Sequence, residues 1–233
     1  MNRNNENQDC KVVKNLQDIG QCLQETFYCN YNHKAILATA EELSGGTSDL
    51  VELAKKMFKH VRDNIAFGFD LYKVKASDTL EKGFGACWNK SLLLVALLRC
   101  KKIPAEFGSI PVERTFIAPS IGKFYLLAND PFNHCFVRAN LNGKWVDLEP
   151  TLDQKTYDTF YRPINVSWNI DWDGSSNCRL YKESIMGPPT IHKDIDDTIN
   201  NKVGNKELPK FLALLGNNWV NKTMWKYTGI EMN

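Results

Sequence analysis

Hydrophobic positions recur at helical spacing between residues 49 and 65. Asp49 and Glu52 have the spacing of a capping box, in which each side chain binds a backbone amide of the first helical turn. Spacings of three and four residues predict an amphipathic helix over 49–65. Its apolar positions are Leu50, Leu53, Ala54, Met57, Val61 and Ile65.

The segment from Cys87 to Cys100 is apolar on almost every side, which is typical of a fully buried helix. Pro104 prevents the helix from continuing, and residues 105–110 predict a short strand. Residues 111–133 contain several prolines and predict a long irregular connection. Because loops of that length are often functional, we expect this connection to select the substrate.

A β-hairpin is predicted where residues 134–141 and 144–149 flank Asn142-Gly143, the dipeptide favoured in two-residue type I′ turns. With these two residues as the loop, Arg138 faces Asp147. Side chains alternate along a strand, so His134 and Glu149 lie on one face as diagonal neighbours. Diagonal neighbours are about 7–8 Å apart, within reach of long side chains.

Composition and charge narrow the function classes. The 233 residues carry 29 Lys and Arg against 27 Asp and Glu, a formal charge of +2, which excludes a dedicated nucleic-acid binder. No apolar run approaches the roughly 18 residues of a membrane span, and residues 1–9 are too polar for a signal peptide. We therefore expect a cytoplasmic protein that binds neither nucleic acid nor membrane; the oligomeric state stays open.

The seven cysteines are odd in number and irregularly spaced. Without an export signal they predict free thiols in a reducing compartment rather than a disulfide framework. No second pair of Cys or His completes a metal site, so we expect neither metal nor cofactor. The seven are Cys10, Cys22, Cys29, Cys87, Cys100, Cys135 and Cys178.

Cys87 is the candidate nucleophile. It follows Gly83-Phe84-Gly85-Ala86 and begins the buried helix, where free amides and the positive end of the helix dipole stabilise a thiolate. The alternative is an ordinary core cysteine, which is how we interpret Cys22, Cys100 and Cys135.

A cysteine nucleophile needs a base, and the base needs an orienting acceptor. His33 and His192 lie in polar, loop-like stretches, and His60 lies on the expected solvated face of the amphipathic helix. His134 differs because it begins a strand after the long connection, so it is the candidate base. Glu149 is the candidate acceptor.

Asp147 is the other carboxylate on this face of the hairpin. It faces Arg138, and its simplest interpretation is a cross-strand ion pair. Whether Asp147 or Glu149 orients His134 depends on the hairpin register.

These motifs together resemble the transglutaminase-like superfamily, over about residues 49–152. The resemblance implies an α+β fold of papain and transglutaminase type, with the nucleophile helix packed on an antiparallel sheet. It also implies Cys87 as nucleophile, His134 as base, and Glu149 at the position where the superfamily usually has Asp. The motifs are Gly85-Ala86-Cys87-Trp88, Ile103-Pro104-Ala105, His134, Gly143-Lys144-Trp145-Val146 and Glu149-Pro150-Thr151.

The implied activity is cysteine-dependent acyl transfer, by hydrolysis or transamidation, on a peptide, protein or small amide. The alternative is an inactive domain of the same superfamily that binds a partner through the same cleft. The backbone amide of Cys87 is the expected oxyanion donor. The sequence does not place a second donor: Trp88 and Asn89 are nearby in sequence, but the alternative is that they face inward.

We divide the chain into a flexible N-terminus (1–18), a catalytic core (19–162) and a C-terminal extension packed on the core (163–233). In the extension, Trp168, Trp172 and Tyr181 either line a groove or cover the flank of the core; we favour the second interpretation. Two short helices are expected near 209–215 and 219–227. We expect them to pack against the rest of the protein rather than to lie on a membrane surface.

Overall fold

A computed structural model describes residues 19–180, 182–206 and 208–231. The predicted flexible terminus, with Cys10, and also Tyr181 lie outside these residues. The helices are α1 Lys34–Ser44, α2 Leu50–Asp63, α3 Ala76–Lys82, α4 Cys87–Cys100, α5 Ala118–Ile121, α6 Gln154–Thr156, α7 Ile195–Asn200 and α8 Lys210–Thr228. The strands are β1 Ala66–Phe67, β2 Phe84–Gly85, β3 Ala105–Val112, β4 Phe132–Leu141, β5 Lys144–Leu148 and β6 Thr190–His192.

Helix α2 begins directly after Asp49, as predicted, but only half of the predicted capping box forms, because the Asp49 amide donates to Thr47 Oγ1 at 3.3 Å and not to Glu52. The Asp49 carboxylate accepts hydrogen bonds from the amides of Val51 at 2.8 Å and Glu52 at 3.3 Å. The helix ends at Asp63, so the predicted Ile65 is buried beyond it. Leu50 is the one predicted core position that is wrong: it lies in the first turn with 38% of its surface exposed.

Helix α4 is the central helix of the fold and has the predicted bounds. All its residues from Cys87 to Arg99 are buried. It packs against β3 and β4 of a four-stranded antiparallel sheet, whose strand order is β5-β4-β3-β6. The α+β class, with the cysteine-bearing helix on an antiparallel sheet, is therefore confirmed.

The β4–β5 hairpin has the predicted register. Arg138 pairs with Asp147 and Leu141 with Lys144. Asn142 and Gly143 have φ angles of 53° and 85°, the two positive values that a type I′ turn requires. Strand β3 continues to Val112, two residues beyond the prediction, because its pairing with β4 extends to Phe132.

Residues 111–133 are more regular than expected. After β3 they form two 3₁₀ turns, Arg114–Ile117 and Gly122–Leu127, on either side of α5. The strand β6 was also missed: His192, which we expected in a loop, lies in this edge strand and pairs with Phe107. Three residues of β6 are too few for an alternating pattern to reveal a strand.

The C-terminal part of the chain differs from the prediction at α8. The two expected helices are one continuous helix, although Gly216, Asn217 and Asn218 are weak helix formers. Tertiary hydrogen bonds stabilise it: Asn221 Oδ1 accepts from the amide of Phe69 at 2.7 Å, and its Nδ2 donates to the carbonyl of Phe69 at 2.8 Å.

Trp168 and Trp172 are buried in the hydrophobic core. They cover its flank, as favoured above, rather than line a groove. No helix in the described ranges is long and apolar enough to cross a membrane. The domain boundaries given above stay a prediction.

Candidate active site

The structure brings Cys87, His134 and Glu149 together from three elements. Cys87 is the first residue of α4, His134 lies near the start of β4, and Glu149 directly follows β5. His134 Nε2 lies 2.7 Å from Glu149 Oε2, and the thiol of Cys87 is hydrogen-bonded to the His134 side chain. All three side chains are buried, Glu149 completely. The hydrogen bonds form one chain from sulfur to carboxylate.

The Glu149 carboxylate is held from both sides. Its Oε1 accepts a hydrogen bond from the amide of Thr151 at 3.2 Å, which leaves Oε2 for His134. Because Glu149 occupies Nε2 of the imidazole, Nδ1 is the ring nitrogen that faces the thiol. The rings of Phe116 and Phe132 meet the imidazole edge-on, with centroids 6.4 and 6.1 Å away.

The electrostatics of the site favour a charged pair. Burial alone would raise the pKa of Cys87, but hydrogen bonds from the side chain and backbone of Cys135, and the charge of His134, lower it to about 5. Burial alone would lower the pKa of His134, but the negative charges of Glu149 and Cys87 raise it to about 10. Near pH 7 the site therefore holds a thiolate beside an imidazolium.

A cavity of about 210 Å³ lies beside Cys87 and His134. It is lined mainly by aromatic and aliphatic side chains from three segments: residues 67–72, residues 116–132 of the connection, and helix α8. The connection therefore borders the site, and its expected role in selecting the substrate stays a prediction. Trp88 Nε1 and Asn89 Nδ2 both donate to the carbonyl of Leu71, at 3.1 and 3.2 Å, so the single N–H of the indole cannot serve as a second oxyanion donor.

Comparison with known proteins identifies this arrangement. A family model of the transglutaminase-like superfamily matches residues 37–150, a span that includes Cys87, His134 and Glu149. The match covers slightly less than half of the chain, and these residues are similar to the transglutaminase-like superfamily. This similarity supports cysteine-based acyl transfer or hydrolysis as the general class of chemistry.

Solved structures show more distant similarity. A protein of Cytophaga hutchinsonii described as a "putative cysteine protease" shares 20% identity over 57% of this chain and 42% of its own, with a TM-score of 0.47. Red sea bream transglutaminase shares 10% identity over 85% and 42%, with a TM-score of 0.40. The chain thus covers less than half the length of either. No curated protein matches it.

Within this transglutaminase-like core, Asp147 does not reach His134. Its carboxylate lies 4.0 Å from Arg138 Nε and also contacts Arg179. The cross-strand ion pair expected from the sequence is therefore present. Of the two candidate carboxylates, Glu149 is the one hydrogen-bonded to the imidazole.

The other histidines lie outside this chain of hydrogen bonds. His33 caps α1 by accepting from the amide of Ala35 at 3.4 Å. His192 lies 2.8 Å from the Ser109 hydroxyl. His60 is half-buried rather than solvated as expected, because the surrounding chain covers that side of α2.

Cys135 is a core cysteine, as predicted, but its contact with the nucleophile was not anticipated. It is buried and hydrogen-bonded to Cys87 through both its side chain and its backbone amide. Burial and this contact raise its pKa well above the usual range. The sequence position of Cys135 could have predicted this contact. Cys135 directly follows His134, and a residue next to the base also lies close to the nucleophile.

Lys90 is a second residue that sequence reasoning missed. It lies in the first turn of α4, is fully buried, and donates from Nζ to the carbonyls of Arg62 at 3.0 Å and Ile65 at 2.6 Å. Burial lowers its pKa to about 8, although the charges of Asp153, Asp63 and Glu149 oppose that shift. The signal was one lysine in an otherwise apolar helix, three residues after Cys87.

The described residues contain no group of three or more His, Cys, Asp or Glu side chains arranged to hold a metal ion. Cys22, Cys29, Cys87, Cys100, Cys135 and Cys178 are all free thiols.

Proposed function

We propose that this protein catalyses cysteine-dependent acyl transfer from a peptide, protein or small amide, ending in hydrolysis or transamidation. Cys87 is the nucleophile, His134 the general acid and base, and Glu149 the acceptor that orients the imidazole. The observation that supports this most is the continuous chain of hydrogen bonds from Cys87 through His134 to Glu149, beside an open cavity.

The first half-reaction forms an acyl-enzyme. The Cys87 thiolate forms a bond to the carbonyl carbon, and the oxygen takes the negative charge. We assign the backbone amide of Cys87 as the donor to that oxygen, because an amide in the first turn of α4 has no partner within the helix. His134 then gives its proton to the leaving amine as the carbon–nitrogen bond breaks.

The second half-reaction returns the thiolate. Water or a second amine attacks the thioester, and His134 takes a proton from the attacking group. The bond to sulfur breaks and the Cys87 thiolate is restored beside the imidazolium. Glu149 stays ionised throughout, because it stabilises the imidazolium without taking its proton.

The test is to detect the acyl-enzyme. The full chain is incubated with p-nitrophenyl acetate at pH 7, and acetylated cysteines are located by peptide mass spectrometry. We expect acetyl on Cys87, and its loss in Cys87→Ala and His134→Ala. Added methylamine divides the product between acetate and N-methylacetamide, which separates hydrolysis from transamidation.

A folded protein that gains no acetyl group on Cys87 would contradict the proposal and favour the inactive binding domain. Acetylation spread evenly over several thiols would contradict it as well. Cys100→Ala serves as the matched control, because this thiol lies at the last residue of α4, at the opposite end of the helix from Cys87.

A further inference from the structure

We propose that the acyl donor carries one large apolar group next to the reacting carbonyl. Helix α8 and residues 114–127 of the connection form the pocket that selects this group. This inference rests on the proposed function, because it names the substrate class of the same site. It concerns a part of the chain outside residues 37–150, since α8 is the far wall of the cavity.

The size of the cavity fits one apolar group. Its volume is about 210 Å³. An apolar cavity of about 150 Å³ already holds a benzene ring, whereas drug-sized ligands occupy roughly 300–1,000 Å³. The space beside Cys87 therefore suits an aromatic ring or a medium alkyl chain, and it is too small to enclose a whole peptide.

The chemistry of the walls excludes a charged group. Besides Cys87 and His134, the acidic and basic residues among the described lining side chains are Asp70 and Lys206. Asp70 is paired with Lys82 at 2.5 Å, and Lys206 is exposed. A buried charge of the donor would lose its water without gaining a buried counter-charge, which disfavours it strongly.

Helix α8 is fixed to the catalytic core by contacts to the segment that lines the opposite side of the cavity. Asn221 bonds both backbone groups of Phe69, and Trp225 Nε1 donates to the carbonyl of Phe67 at 2.8 Å. Phe67 and Phe69 themselves line the cavity. These contacts fix the position of α8 relative to Cys87. A specificity pocket requires walls that are fixed in this way.

The connection meets α8 across the mouth of the cavity. The rings of Phe124 and Trp219 lie 4.8 Å apart between their centroids. Residues around this contact expose apolar side chains, among them Leu127 and Leu215. An apolar group approaching the thiolate therefore passes an apolar entrance.

Gly216 provides a direct test. It lines the cavity, and a Cβ added there would meet no heavy atom within 4 Å. Gly216→Phe therefore narrows the pocket without a backbone clash, and it replaces a weak helix former. The matched control is Asn218→Phe, since Asn218 is exposed on the same helix and does not line the cavity.

The measurement is kcat/KM for p-nitrophenyl acetate and octanoate, and for peptidyl p-nitroanilides ending in Ala, Gln or Phe. The apolar group has two sources, an acyl chain or a peptide side chain, and the two series distinguish them. We expect kcat/KM to be at least about tenfold higher for the octanoate than for the acetate ester, or at least about tenfold higher for the Phe anilide than for the Ala and Gln anilides. Gly216→Phe should lower that ratio by at least about tenfold, whereas Asn218→Phe should keep it.

Equal rates for all donors, a preference for Gln, or an unchanged ratio in Gly216→Phe would overturn the pocket proposal while Cys87 acylation still occurs. Absence of acylation with every donor would instead overturn the proposed function, and this inference with it. The two failures are therefore distinguishable in one experiment.

Discussion

His134 and Glu149 are joined by a hydrogen bond of 2.7 Å between Nε2 and Oε2, and both side chains are buried. Away from water, a carboxylate stabilises an imidazolium far more than it would at the surface. The charge state of Cys87 therefore depends, through His134, on the carboxylate of Glu149, which lies outside the helix that carries Cys87.

Replacing Glu149 by Gln keeps the shape of the site and removes the charge. We expect the pKa of His134 to fall and that of Cys87 to rise, with a loss of acyl transfer on the order of 10²–10⁴ in kcat/KM. Asp147→Asn is the control: it neutralises the other carboxylate of the hairpin, which contacts Arg138 and Arg179. Equal losses in the two variants would contradict the role of Glu149.

The charged pair also predicts how stability depends on pH. The pKa of Cys87 is lowered from 9.0 to about 5, so its contribution to stability grows as pH rises from 5 and is complete at 9. The pKa of His134 is raised from 6.5 to about 10, so its contribution is full below 6.5 and is lost as pH rises to 10.

Together these contributions rise from pH 5 to 6.5, stay level to about 9, and then decline. Urea unfolding at pH 5, 7.5 and 10 measures this when the wild type is compared with the Cys87→Ala, His134→Ala double variant. The difference in unfolding free energy should be largest at pH 7.5. A difference that does not change with pH would argue against the pair.

Cys135 predicts an effect on the thiol beside it. Its side chain and backbone amide both donate toward Cys87 and lower the pKa of that thiol. Cys135→Ala should therefore raise the pKa of Cys87, measured from the rate of alkylation against pH, and Cys135→Ser should restore much of the shift because it keeps a donor. Cys100→Ala, half-buried at the far end of α4, should leave the profile unchanged.

The buried contacts of Lys90 predict that replacing this residue lowers the stability of the fold. Lys90→Met leaves the buried carbonyls of Arg62 and Ile65 without their donor, which costs about 1–3 kcal/mol for each unsatisfied group. Urea unfolding at pH 7 should show a clear loss, whereas Lys59→Met, exposed on α2, should change the free energy of unfolding by no more than about 0.5 kcal/mol. Equal stability of the two variants would show that the Lys90 contacts contribute nothing.

Much of this arrangement follows from local patterns. The cap at Asp49, the bounds of α4 and the turn at Asn142-Gly143 are each set by neighbouring residues, so the sequence predicts them. The hairpin register follows from the turn, and it brings Glu149 rather than Asp147 toward His134.

What the sequence did not reveal depends on contacts between distant segments. Cys135 meets Cys87 only because β4 packs beneath the start of α4, and Lys90 is buried only because α2 ends against it. The continuity of α8 depends on Asn221 and Phe69, which are far apart in the chain. Helix propensity alone predicts a break there, and tertiary packing overrides it.

The most direct measurement is alkylation of the native protein with iodoacetamide from pH 4.5 to 9, with each cysteine quantified by peptide mass spectrometry. We expect Cys87 to react with a half-maximal rate near pH 5. Cys29, Cys100 and Cys178, whose pKa values burial raises, should stay unreactive below pH 8. If Cys87 reacts no faster than Cys100 at pH 6, the thiolate–imidazolium pair and the proposed mechanism are wrong.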